Sequence, residues 1–291
     1  MHNFANEKKR KKKQILIINH RKMKNYLFLI LISVFIISCN KTDNPSENFD
    51  DYSQFINSNS ISSEIEFMPI ETYSSNNVEN PTLKLRLKTI DEYPCVNYGL
   101  ITTEFVNGDE LIIRFEDVVE PSWCLTAIGP AISEINLTEN ITKLVFINGN
   151  IIDTYSVNIN EQKVDISLIE NNFTSSLYDK TFRYPENSFA FICGTNVDNT
   201  QLYDDFLNIL LNNNTLSVYE FNGDGRIPYP ETSSGHWINH PSRYFIYNNA
   251  SDFENLGQIL SDFTDQNIIP NSGVSIWLLS WDNRNHRSWI N

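Results

Sequence analysis

The chain has 291 residues, of which 22 are Lys or Arg and 36 are Asp or Glu, so its formal net charge is −14. This length is enough for one large domain or two ordinary ones, and a hydrophobic content of 41% excludes global disorder. The acidic balance argues against nucleic acid as a partner, because phosphate binding needs clustered Lys and Arg.

The first 39 residues combine a basic start with a short apolar run. They hold nine of the 22 basic residues and a single acid, so the remainder of the chain has a net charge of −22. Residues 26–37 are almost all apolar, and Ser38 and Cys39 follow them. A basic start, a short apolar stretch and a small residue before the cut indicate a secretory signal. The alternative is an uncleaved signal anchor or a buried strand, but the run is shorter than the about 20 apolar residues that span a membrane.

The end of this run, Ile36-Ile37-Ser38-Cys39, resembles the lipobox of bacterial lipoproteins. The resemblance implies that the signal is cut before Cys39 and that Cys39 carries the lipid, with palmitate-type acyl chains. Asn40 stands where an Asp would imply retention in the inner membrane, so the resemblance implies the outer membrane, on its periplasmic or its cell-surface face. The composition, rich in Ile and Asn, is similar to that of lipoproteins of the Bacteroidota.

Met23 fits as the true start, because Lys24 already supplies the positive charge of a signal. We therefore expect residues 1–22 to be an extension from a wrongly assigned start codon. Residues 40–62 are polar and rich in Asn and Ser, which indicates a flexible tether between the lipid and the folded body. The alternative is that the aromatic residues of this segment dock on the body.

Residues 63–170 show the period-two pattern of half-buried strands. At 83–88, Leu alternates with Lys or Arg, which gives one apolar and one basic face. Asn-Gly pairs at 107–108 and 148–149 lie between apolar runs and predict hairpins, because both residues tolerate positive φ. About seven to nine short strands with frequent turns predict an all-β sandwich domain, with an immunoglobulin-like fold as the best match.

Residues 171–291 are predicted to form a second, α+β domain. Apolar residues recur at helical spacing over 201–212 and 251–265, which predicts two helices. Ser251 and Glu254 have the spacing of a capping box at the start of the second helix. Strand-like runs surround the helices at 188–193, 215–221, 243–247 and 274–281.

Three cysteines follow Cys39, and an exported protein can oxidise them. Cys95 and Cys124 lie in the predicted sandwich, and a bridge between them would close a loop of about 30 residues, worth about 3.5 kcal/mol in the chain-entropy model. We predict this disulfide, whereas a link from Cys95 to Cys193 would join the two predicted domains. Cys193 ends an apolar run, which favours a buried, inert thiol over a nucleophile.

His236 and His240 are four residues apart, the spacing that puts two metal ligands on one helical face. They make a metal-dependent hydrolase the alternative function. The motif has no Glu to act as general base, and Pro241 follows it directly, so loop histidines are the simpler interpretation. The sequence identifies no catalytic residue and no required cofactor.

A calcium site is a second candidate. The segment that begins at Glu220 has oxygen ligands at Asn222 and Asp224, and Glu231 stands at the twelfth position, which is similar to a calcium-binding loop. Two prolines precede Glu231, and a strand instead of a helix leads into the segment. A Gly-rich turn explains the same residues without a metal.

Aromatic residues are frequent in the C-terminal part, and Trp237, Trp281 and Tyr229 are the candidate ligand-binding residues there. Exposed Trp and Tyr stack on sugar rings or anchor protein interfaces, although strand tryptophans often belong to the core. The sequence therefore predicts a lipid-anchored envelope protein that is a non-catalytic binding or accessory module for a glycan or another protein.

Overall fold

A computed structural model of the chain describes residues 49–230 and 238–289. These residues form mostly β-structure: a large curled sheet, a smaller second sheet and two helices that pack on the second sheet. No helix within the described ranges is long and apolar enough to cross a membrane. The predicted signal region with Cys39 lies outside the described residues.

The bounds of the elements follow the chain order. The curled sheet contains β1 (Ile65–Thr72), β2 (Thr82–Tyr93), β3 (Gly99–Asn107), β4 (Glu110–Val119), β5 (Gly129–Asn136), β6 (Lys143–Asn148), β7 (Ile151–Ile159), β8 (Lys163–Glu170), β9 (Thr174–Ser176) and β10 (Lys180–Phe182). The second sheet contains β11 (Ser188–Thr195), β12 (Leu216–Tyr219), β13 (Ile238–Asn239), β14 (Arg243–Tyr247), β15 (Val274–Ser280) and β16 (Asn285–Arg287), and its helices are α1 (Gln201–Leu211) and α2 (Ala250–Asn267).

The curled sheet brings its two end strands together. Its strand order is β10-β8-β7-β6-β4-β3-β5-β2-β1-β9, yet β9 and β10 are consecutive in the chain. The backbone N–H of Leu177 donates to the carbonyl of Phe67 on β1, at 2.9 Å, and the N–H of Ile166 on β8 donates to the carbonyl of Asp179, at 2.8 Å. The short segment between β9 and β10 therefore bonds to strands from both ends of the sheet.

Local sequence patterns explain most of these strands. The Leu side chains of 83–88 are buried, whereas the Lys and Arg side chains between them face outward and pair with acids such as Glu134 and Glu66. The predicted hairpins are confirmed: Gly108 joins β3 to β4 with φ of 65°, and Gly149 joins β6 to β7 with φ of 59°.

One apolar core fills the inside of the curl. Its buried side chains come from each of β1 to β8 and include Phe67, Phe115 and Phe146, whose rings contact one another or Tyr155. Parallel pairing also occurs, between β4 and β6, between β3 and β5 and between β1 and β9. The immunoglobulin-like assignment stays a prediction.

The last residues of the predicted tether belong to the folded body. Asn148 exchanges two hydrogen bonds with the backbone of Ile61, whose side chain is buried. Glu116 accepts bonds from the side chains of Asn57 and Asn59. Burial alone would raise the pKa of Glu116, but hydrogen bonds from Thr103, these two Asn and Arg114 outweigh it and lower the pKa to about 2. An ionised Glu116 thus fastens this segment to the sheet.

Both predicted helices are confirmed within two residues, but the predicted cap of α2 is wrong. Asn249, not Ser251, is the N-cap: its side-chain oxygen accepts the N–H of Ser251, at 3.1 Å. The side chain of Asp252, not Glu254, accepts the N–H of Asn249 in return, at 3.1 Å. Asn249 is in an extended conformation, so the helix begins two positions earlier than the spacing of Ser251 and Glu254 suggests.

The change from the curled sheet to the second sheet falls between Phe182 and Ser188. Two short strands beyond residue 170 still belong to the curled sheet, because β9 pairs with β1 and β10 pairs with β8. The division into two domains at residue 170 stays a prediction.

A disulfide joins Cys95 to Cys124, the pairing that the sequence favoured, whereas Cys193 is a buried free thiol. Burial raises the pKa of the Cys193 thiol to about 12, which keeps it protonated and unreactive.

Replacing Cys95 and Cys124 together by Ser is expected to lower the free energy of unfolding by up to about 3.5 kcal/mol, because the bridge restricts the unfolded chain. Urea titration of the wild type and the double variant, each with and without reductant, measures this. The double variant is the control for the reductant, which should leave its midpoint unchanged. Equal midpoints for the oxidised wild type and the double variant would contradict the prediction.

Candidate ligand-binding cleft

A cleft of about 530 Å³ lies where the curled sheet meets the second sheet. The segment that connects the two sheets contributes four consecutive residues, 183–186, to its lining. The lining residues come from both sheets and the loops beside them: Glu71, Asn80, Pro81, Glu139, Glu161, Gln162, Arg183, Tyr184, Pro185, Glu186, Tyr219 and Trp281.

Glu71 on β1 anchors the connecting segment. Its carboxylate accepts a bond from Nε of Arg183 at 2.9 Å and one from the backbone N–H of Tyr184 at 2.5 Å. Only 3% of the Glu71 side chain is exposed. Burial raises the pKa of Glu71 above its ordinary value, and the two donors oppose this only in part. Arg183 also donates to Glu139 at 2.9 Å and to the carbonyl of Asn160 at 3.0 Å.

Two tyrosines stay neutral phenols beside this carboxylate. The rings of Tyr73 and Tyr184 are 6.0 Å apart, and the hydroxyl of Tyr73 donates to the carbonyl of Trp281. Burial raises the pKa of Tyr184 to about 12 and raises the pKa of Tyr73 far above its ordinary value. Of the two, only Tyr184 lines the cleft, and at neutral pH it brings no negative charge there.

Trp281 is the predicted ligand-binding residue that reaches the cleft. Its ring nitrogen donates to the hydroxyl of Tyr247 at 2.9 Å, and its backbone N–H donates to the carbonyl of Ser188 at 2.9 Å. Trp281 lines the cleft together with Tyr219 and also packs against the core of the second sheet. The wall thus combines aromatic rings with the amides of Asn80 and Gln162.

Tyr229, by contrast, is only 2% exposed. Its hydroxyl is hydrogen-bonded to the hydroxyl of Ser188, and its ring packs at 4.8 Å against Tyr184 and at 5.4 Å against Tyr244. In this arrangement Tyr229 supports Tyr184 from behind and does not face the cleft. Trp237 lies outside the described residues.

The histidines of the described part of the chain are packed against aromatic rings. His240 stacks on Tyr203 at 4.6 Å, its Nε2 is 2.8 Å from the hydroxyl of Thr195, and burial lowers its pKa. His286 stacks on Phe253 at 4.8 Å, on α2. Residues 49–230 and 238–289 contain no group of three or more His, Cys, Asp or Glu placed to hold a metal. His236 lies outside these ranges, so the metal site stays a prediction.

The predicted calcium segment forms a turn next to β10. Glu220, Asn222 and Asp224 are exposed, and Arg226 exchanges backbone bonds with Lys180 and Phe182. The ammonium group of Lys180 lies close to Gly223 in the same turn. Glu231, the fourth predicted ligand, lies outside the described residues, and calcium binding stays a prediction.

Sequence reasoning missed Glu71, Arg183 and Tyr184, which organise the cleft. Glu71 and Arg183 are 112 residues apart, and neither belongs to a recognisable motif. A comparison of the chain with family models, curated proteins and solved structures found no match.

Proposed function

We propose that this chain is a lipid-anchored, non-catalytic protein of the bacterial cell envelope and that it binds a glycan in the cleft around Tyr184. The observation that carries the proposal is the composition of the cleft lining, to which Trp281 and Tyr219 contribute together with Asn80 and Gln162. Its volume, about 530 Å³, falls in the range of small-ligand sites.

Sugars need this combination of groups. The C–H face of a pyranose ring packs on an aromatic ring, and aromatic side chains provide large contact areas with fixed orientation. The hydroxyls of a sugar donate to carboxylates such as Glu161 and Glu186 and exchange bonds with amides. A buried polar group that lacks a partner is costly, so the spacing of these groups would select among sugars.

The proposed envelope location is supported by the lipobox-like sequence at Cys39 and by the charge of the remaining chain. A body with a net charge of −22 after Cys39 is repelled by anionic headgroups, so it would need a covalent lipid to stay on a membrane. We propose the outer membrane as its site, with the glycan on the same side of that membrane.

The test is a glycan microarray probed with a Cys39→Ser variant that lacks the proposed lipid, followed by titration calorimetry with the best oligosaccharide. Trp281→Ala is expected to weaken binding about tenfold or more, because a buried aromatic contact is worth more than about 1 kcal/mol. Gln162→Ala is expected to weaken it without loss of packing. Trp289→Ala, which removes a half-exposed Trp outside the cleft, is the matched control.

Two results would contradict the proposal: no oligosaccharide binds, or Trp281→Ala and Trp289→Ala weaken binding equally. Circular dichroism of each variant shows that it has folded, because Trp281 also bonds to Tyr247.

The curled sheet serves in this proposal as a β-sandwich scaffold for one wall of the cleft. The single core enclosed by β1 to β8 supports that interpretation. An immunoglobulin-like strand order is a more specific prediction. The sheets of immunoglobulin domains are antiparallel, so the parallel pairing of β4 with β6 would be a departure from that fold.

A further inference from the structure

An exposed apolar patch lies at one end of the curled sheet, next to the disulfide. It consists of Val96, Trp123, Leu125 and Ile128, which we call the Trp123 patch. Trp123 is 66% exposed and Ile128 is 72% exposed. Single exposed apolar residues are ordinary, but a contiguous group on one loop system indicates an interaction surface.

The patch is held in shape by covalent and hydrogen bonds. The disulfide joins the segment before β3 to the segment before β5. Asn97 adds two bonds across the same gap: its Nδ2 donates to the carbonyl of Trp123 at 2.8 Å, and its Oδ1 accepts the N–H of Leu125 at 3.0 Å. The N–H of Val96 also donates to the carbonyl of Leu125, at 3.3 Å. A loop fixed in this way loses little conformational entropy on binding.

Exposed carboxylates lie on the chain segments that lead into the patch. Asp91 and Glu92 are exposed at the end of β2, where Glu92 is opposite Pro130. Asp117 and Glu120 are exposed on the other side, at the end of β4. The chain contains no Lys or Arg at 89–105 or at 115–136, and Lys88, at the border, is paired with Glu66 at 3.4 Å.

The negative charge around the patch favours some binding partners of the patch over others. A symmetric contact between two copies of the chain would bring four carboxylates against the same four, which disfavours self-association. An anionic lipid surface would be repelled in the same way. A protein surface with an apolar socket and a rim of Lys or Arg complements both the centre and the border.

We propose that the Trp123 patch docks a second, different protein that presents an apolar socket with a basic rim. Trp123 is the central anchor, because an exposed Trp on a rigid loop is the residue type that most often dominates an interface. The carboxylates speed association and fix the orientation of the partner. This inference does not depend on glycan binding, because the cleft contains none of the patch residues.

The test uses the full-length chain in its native cells, with a photo-crosslinking amino acid in place of Ile128, which keeps the proposed anchor Trp123. Val197, which is 74% exposed on a loop after β11, is replaced in the same way as the control. We expect an adduct with another protein from position 128 and none from position 197. Mass spectrometry should map the adduct to a partner peptide that carries Lys or Arg beside apolar residues.

Charge reversal of the border tests the second half of the proposal. Asp117→Lys with Glu120→Lys, in the chain that carries the crosslinker at 128, should lower the adduct yield about tenfold. Non-reducing electrophoresis shows in each case that the disulfide has formed. Adducts only between copies of this chain, adducts only with lipid, no adduct at 128, or a yield that charge reversal leaves unchanged would each overturn the proposal.

Discussion

Replacing Asp153 by Asn is expected to lower the free energy of unfolding by about 3 kcal/mol, because it leaves either the two donors of Asn172 or the backbone N–H groups of Phe173 and Thr174 without an acceptor. Asp153 has no exposed surface. One carboxylate oxygen accepts the backbone N–H and the side-chain Nδ2 of Asn172, at 2.7 and 3.2 Å. The other accepts the N–H of Phe173 and both the N–H and the hydroxyl of Thr174, at 2.7 to 2.9 Å.

An Asn side chain has only one acceptor oxygen. If its oxygen faces Phe173 and Thr174, its NH2 group meets the N–H donors of Asn172, and if it turns round, the NH2 group meets the N–H groups of Phe173 and Thr174. Each unsatisfied buried donor costs about 1 to 3 kcal/mol. The affected segment leads into β9, so the change also weakens the join between the two ends of the curled sheet.

Urea titration measures the effect, and Asp165→Asn is the matched control. Asp165 is partly exposed on β8 and pairs with Lys163 at 2.8 Å, and a surface ion pair is worth about 0 to 1 kcal/mol. If Asp153→Asn and Asp165→Asn shift the midpoint equally, the buried acceptor role of Asp153 is wrong.

Features that depend on neighbours in sequence could be predicted, and features that depend on distant pairing could not. The hairpins at Gly108 and Gly149 follow from Asn-Gly between two apolar runs, and α2 follows from the spacing of its apolar residues. The closure of the curled sheet depends on Leu177 meeting Phe67, 110 residues away, and no local pattern specifies that contact. The cap of α2 was missed because Asn249 and Asp252 cap as well as Ser251 and Glu254 would.

The residues of the cleft show the same difference between local sequence patterns and contacts that depend on the fold. Trp281 could be chosen from the sequence because tryptophan is a common ligand-binding residue type. Glu71 and Arg183 are ordinary charged residues until the fold brings them within 2.9 Å of each other. Tyr229 was a candidate for the same chemical reason as Trp281, yet its ring became part of the packing behind Tyr184. The residue type suggested which side chains could bind a ligand, but only the fold showed that Trp281 lines the cleft and that Tyr229 packs behind it.

Replacing Glu71 by Ala is expected to lower the free energy of unfolding by about 3 to 5 kcal/mol, the usual cost of removing one partner from a buried ion pair. The change leaves the N–H of Tyr184 without its acceptor, and Arg183 keeps only Glu139 and the carbonyl of Asn160. Glu139→Ala is the matched control: it removes the other acid that pairs with Arg183, and 69% of that side chain is exposed. Its cost is expected to stay below about 1 kcal/mol.

The pH dependence of the Glu71 contribution has a definite sign. Burial raises the pKa of Glu71 above the ordinary 4.5, so over the interval between 4.5 and the raised value the folded chain binds more protons than the unfolded chain. The titration of Glu71 therefore favours the folded chain most below about pH 4.5, and this proton-linked part of its contribution is lost as the pH rises through the raised pKa.

Glu71→Gln separates charge from shape, because Gln occupies the same volume and does not titrate. The difference in unfolding free energy between the wild type and Glu71→Gln is expected to shrink as the pH rises through that interval, in urea titrations at a series of pH values. A difference that grows with pH would mean that Arg183 and the N–H of Tyr184 outweigh burial and lower the pKa of Glu71. The Glu71 carboxylate would then stabilise the segment that connects the two sheets chiefly through its ion pair with Arg183.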